Sequence, residues 1–179
     1  MTVAGWQVPR SGEFWAVASL LLGAAVAAVL GVFAVYHTPS QAVPTLGFET
    51  ATAMKVWLGA TAGVLALVQL ATAVLMYRRG GRGIALVHRG SGMLAVVLSL
   101  PVAFTCIWSL GWADQNPRVL IHSLAGCLLY GALVTKMLAL HVPRMPSWLV
   151  PVAGSLLLTG VVAASLTTSW WYLAEFGTP

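Results

Sequence analysis

Charge is the scarcest property of this sequence. Of 179 residues only 7% are charged and four are acidic, where a soluble domain carries about 25% charged residues. With 59% of residues hydrophobic, that shortage excludes a soluble globular domain. Cysteine is nearly missing too. Cys106 and Cys127 are the two present, both inside apolar runs where a thiol is most often a small buried group. No disulfide framework exists, and a bridge between these two has no support beyond their possible proximity. No glycine-rich phosphate loop, nucleophile triad or CxxC pair appears, so soluble hydrolytic and thiol-redox chemistry finds no footing. The net charge of +5 would suggest nucleic acid in a soluble chain. Here the basic residues flank apolar runs and read as topology signals, so nucleic-acid binding is set aside.

The sequence does have length in its apolar runs. A helix crossing ~30 Å of hydrocarbon needs roughly 20 apolar residues, and five runs qualify, over 14–36, 56–77, 91–112, 119–142 and 148–172. The connections are too short for another domain, so the expected fold is one all-α bundle of five transmembrane helices spanning 1–179. The first run lacks a small-residue cleavage site and is read as helix 1. Placing Arg78, Arg79, Arg82 and Arg89 in the cytoplasm puts Arg10 and Arg144 there too, leaving only Lys55 and Arg118 at the outer ends. The positive-inside rule then gives a cytoplasmic amino terminus. Trp15, Trp57, Trp108, Trp112, Trp148, Trp170 and Trp171 fall near run ends and are expected as interfacial anchors. Pro101, inside the third run, should kink it.

The turn "GWADQNP", 111–117, joins the third and fourth runs as an antiparallel hairpin. With the turn centred near Asp114 and Gln115, residues whose numbers sum to about 229 share one depth. His88 and His141 do so, at the cytoplasmic end. His122 and His37 lie toward the outer face.

Two neutral imidazoles at one depth on neighbouring helices are what bis-histidine ligation of a b-type haem requires, together with small residues that let the macrocycle approach. His88 and His141 form the expected inner pair, with Gly90, Gly92, Gly126 and Gly131 for clearance and Arg89 to meet a propionate. Glycines in membrane helices also mark tight packing, and a basic cluster at the boundary has an interfacial reading. A second haem would use His122 and His37. His122 and His141 are nineteen residues apart, ~28 Å along a helix and about 100° around it, so they would serve different partners. For His37 the plainer alternative is a turn residue before Pro39; for His141 it is a basic carboxyl-terminal turn.

Lys136 snorkels or meets a propionate or quinone. Met93 and Met137 raise copper as a soft-ligand alternative, though packing is the commoner role. Gln69 and Tyr130 are mid-membrane polar groups that bind quinone or, by default, bridge helices.

The blocks "HTPS", "MKVWLGA", "HRGSGMLAVVLSLPVAFTC" and "VLIHSLAGCLLYGALVTKM" resemble an actinobacterial membrane family. That family is similar in outline to the haem-b membrane domains of ascorbate-reducing cytochromes and ferric reductases. The resemblance covers 37–137. It implies association with an iron-sulfur protein of the Rieske kind or another respiratory component. Members of the family often carry histidine at the position of Thr105, level with His122. The threonine here weakens an outer haem built by that hairpin and leaves His37 as the available partner.

The expectation is therefore a multi-pass protein of a bacterial plasma membrane, a haem b subunit carrying electrons in a respiratory assembly. The alternatives are a haem-free accessory subunit and, third, a quinone-reactive membrane anchor.

Overall fold

Hydrocarbon leaves backbone amides no water to bond, so each apolar run must satisfy itself as a helix. The computed structural model describes residues 11–40, 44–112, 114, 116–143 and 145–179. Arg10, Arg144 and Gln115, used in the topology and hairpin arguments, lie outside the described residues.

Five helices are long and apolar enough to cross a membrane: α1 (Ser11–Tyr36), α2 (Ala51–Arg79), α3 (Arg82–Leu110), α4 (Pro117–His141) and α5 (Leu149–Phe176). The chain is a multi-pass membrane protein. Most helices outrun their apolar runs because interfacial residues continue the backbone ladder past the hydrocarbon. The largest difference is in α3, which begins at Arg82 and not near residue 91. His88 consequently lies inside the helix, about 9 Å beyond its first residue at 1.5 Å per residue.

Local chemistry sets the boundaries. Thr50 caps α2 by accepting from the Ala53 amide at 3.0 Å, and Asn116 caps α4 ahead of Pro117 at the first helical position. Gly80 and Gly81 form the whole α2–α3 connection at φ +64° and +112°, a region in which side-chain-bearing residues are strained. Beyond Pro101 the helix changes winding: the Thr105 amide is shared between the Pro101 and Val102 carbonyls, and Thr105–Leu110 is a π-helical turn. A second π-helical turn, Leu166–Trp170, interrupts α5.

Contacts run α1 to α4, α4 to α5, α5 to α2 and α2 to α3, with α1 also touching the end of α3. The interfaces use small residues and short polar bridges, as expected where lipid supplies no hydrophobic drive between helices. A Cβ on Gly131 would stand 2.5 Å from the Gly23 carbonyl oxygen, so α1 and α4 meet backbone to backbone. Thr135 donates to the Ser19 carbonyl at the same crossing. Ser165 donates to the Gly59 carbonyl at 3.1 Å between α5 and α2.

By contrast, α3 and α4 are antiparallel but scarcely approach each other along the backbone. Side chains bridge them. Tyr130 meets Ser99 at 3.0 Å and His122 meets Cys106 at 3.7 Å. These pairs sum to 229 and 228, so the expected register holds even though the expected close hairpin is open. No residue of α3 from Arg82 to Phe104 is buried.

Candidate functional site

The seam between α3 and α4 collects titratable groups. On α3, His88, Ser99 and Cys106 are spaced eleven and seven residues apart, close to whole turns, and share one face. On α4, Tyr130 and His141 are likewise eleven apart, and His122 lies eight residues before Tyr130, about 80° around the helix.

At the arginine-rich end, α2 fixes His88 twice. Gln69 donates its amide to the His88 carbonyl and to Ser91 Oγ. Thr72, buried in α2, places its hydroxyl 2.9 Å from His88 Nδ1. That hydroxyl has one proton, already given to the Val68 carbonyl at 2.7 Å, so its oxygen accepts from Nδ1–H. The neutral ring therefore carries its lone pair on Nε2. His141 reaches the same state by a different route: its Nδ1 lies 2.7 Å from the Met137 carbonyl, which can only accept. Two imidazoles at one depth thus have Nδ1 engaged and, among the described residues, no partner for Nε2. His141 and Arg89 are exposed and His88 is half-buried. Lys136, half-buried on α4, stands five residues before His141.

The glycines expected to give clearance do not flank this pair. Gly92 packs on Gln69, and Gly131 on Gly23 and Ala27. Gly126 meets nothing within 4 Å, but is fifteen residues, about 22 Å, from His141. Gly90 is also open, yet two residues past His88 it points to the opposite side of α3. What room there is comes from the separation of the two helices.

At the far end His122 and His37 occupy different seams. Thr167 Oγ1, its proton given to the Ala163 carbonyl at 2.6 Å, lies 3.4 Å from His122 Nδ1. Nε2 faces the Cys106 thiol at 3.7 Å. His37 stacks on Phe33 and sits 4.3 Å, centroid to centroid, from Trp108. Cys106 and Trp108, two residues apart, project from nearly opposite sides of α3, which stands between the two histidines. The expected outer pair is not formed: His122 faces α5 and Cys106, and His37 faces Phe33 and Trp108. Cys106, not Thr105, is the residue opposite His122; Thr105 is 1% exposed with its hydroxyl unpaired. Arg118 donates to the Thr167 carbonyl and lies 3.6 Å over the Trp171 ring.

The cysteines are free: Cys127 faces α1 near Gly31, away from Cys106. Gln69 and Tyr130 bridge helices, the default expectation for both. Met93 and Met137 are exposed, and among the described residues no three His, Cys, Asp or Glu side chains converge. A groove of about 440 Å³ runs between α1, α4 and α5, lined by apolar side chains such as Leu20, Leu124, Leu128 and Leu156; no histidine lines it.

Residues 16–179 match DUF6529, a family of unknown function, and the chain belongs to that family. No curated protein and no solved structure matches it.

Proposed function

We propose that this protein is a b-type haem subunit that carries electrons within or across a bacterial plasma membrane as part of a respiratory assembly, its arginine-rich end in the cytoplasm. One observation carries the reading. By the register of α3 against α4, His88 and His141 lie at one depth, each with Nδ1 hydrogen-bonded and with no partner for Nε2 among the described residues, the state in which a ligating histidine is held by its outer partner.

His88 and His141 would hold the haem, with Thr72 and the Met137 carbonyl fixing ring orientation. Arg89, exposed beside His88, would meet a propionate through its planar fork. Lys136 would place a second positive charge near the ring. Haem supplies a one-electron couple whose potential is set by ligands, charge and burial. The protein's part is to orient two imidazoles and shield the seam from water. The donor and acceptor belong to partner subunits, of which an iron-sulfur protein is the proposed kind.

A pyridine haemochrome assay with reduced-minus-oxidised spectra on the purified protein tests this. One haem per chain is expected, lost in His88→Ala and in His141→Ala and kept in His37→Ala. Haem-free protein after expression with adequate haem supply would refute the proposal.

A further inference from the structure

The Cys106–His122 contact, one of the side-chain bridges between α3 and α4, has a chemistry of its own that the proposed haem does not use. Thr167 accepts from Nδ1–H, so His122 points a lone pair at a thiol 3.7 Å away. The two side chains come from different helices, and both the thiol and the orienting hydroxyl sit on π-helical turns. Single π turns inside helices recur at functional sites.

We propose that Cys106 and His122 form a binding site for a soft monovalent metal ion, copper(I), oriented by Thr167. Metal bonds to imidazole nitrogen and thiolate sulfur, about 2.0 Å and 2.3 Å for zinc, together exceed the 3.7 Å between the donors, so an ion fits between them once the two side chains open slightly toward the straight arrangement of a two-coordinate copper(I) ion. Binding replaces the thiol proton: the S–H bond breaks, the S–Cu bond forms, one proton leaves to solvent, and nothing is oxidised or reduced. Three features select the ion. Thiolate is a soft ligand that favours copper(I). Zinc takes four ligands in structural sites, and among the described residues only two such donors meet here. Thiolate and a monovalent cation cancel, leaving no net charge in a low-dielectric interior.

The site lies about 7 Å along α4 from its first residue, Pro117, at the end opposite the proposed haem, so the two are separable. The test is copper(I) titration of the reduced, purified full chain against a chromophoric copper(I) chelator, followed by X-ray absorption. One copper per chain is expected, with one sulfur and at least one nitrogen neighbour. Cys106→Ser and His122→Ala should each abolish it, Cys127→Ser should leave it intact, and Thr167→Val should weaken it by about 10–100-fold, as lost orienting partners do. Zinc should not compete. Copper retained in Cys106→Ser, or lost instead in Cys127→Ser, would overturn the assignment, as would a metal lacking a sulfur neighbour. Haem content is read on the same samples and should be unaltered by Cys106→Ser.

Discussion

The two flanks of α4 are built on opposite plans. Toward α1 the helix carries Gly131 and Thr135, its backbone rests on that of Gly23, and a Cβ has no room. Toward α3 it carries His122, Tyr130, Met137 and His141, and the backbones stay apart, joined through side chains. In a membrane, close backbone approach is what holds helices together. A helix that spends one flank on packing can leave the other open and polar, and ionisable groups in such a seam point to function.

The contrast breaks most sharply at Gly131. In Gly131→Leu the new side chain would meet the Gly23 carbonyl and Ala27, and backbone cannot yield as a flexible side chain does. We expect a loss of about 3 kcal/mol or more from overpacking, read as a fall in the thermal midpoint of the purified protein in detergent, with every ligand lost alongside. A fold that tolerates leucine there would mean that α1 and α4 are not held by that crossing.

The same bulk on the other flank should act differently. Met137 is 46% exposed and lies one turn from His141 on the seam side. Met137→Trp should leave the thermal midpoint near wild type and empty the haem seat. Unchanged haem content with tryptophan in place would put the cofactor somewhere other than between α3 and α4.

A smaller effect is expected from Thr72→Val, which keeps the shape and removes the acceptor that orients His88. Loss of such a partner typically costs 10–100-fold in affinity, so haem should be retained on purification and lost faster to an acceptor such as apomyoglobin. No change in that rate would show that Gln69 alone positions His88.

Much of this was legible in the sequence, for a physical reason: hydrocarbon forces each long apolar run into a helix, and short turns force antiparallel register. The rule of constant sums at the 111–117 turn already pairs Ser99 with Tyr130 and Cys106 with His122. Applied to Gly80–Gly81, it pairs Thr72 with His88 and Gln69 with Ser91, contacts that the spacing of the histidines alone does not reveal. Helix order around the bundle was not legible, because every helix is apolar nearly all round and small residues suit several neighbours. Gly92 and Gly131 were misassigned for that reason. Nor could the sequence show which ring nitrogen each histidine has free, since that depends on hydroxyls and carbonyls brought in by the fold.

The smallest expected effect concerns the bridge that spans the open seam at mid-membrane. Ser99 gives its proton to the Val96 carbonyl at 2.8 Å, so Tyr130 donates to Ser99 and not the reverse. In Tyr130→Phe the serine therefore keeps its own bond and loses only an incoming one. Hydrogen bonds between membrane helices average about 0.6 kcal/mol, and the thermal midpoint should fall by little more than that implies. Haem content should not change, because Tyr130 stands three turns from His141 and Ser99 three turns from His88. If haem did fall with so slight a loss of stability, the seam would be held at its working width by this one bond, and the open flank of α4 would be as specifically built as the closed one.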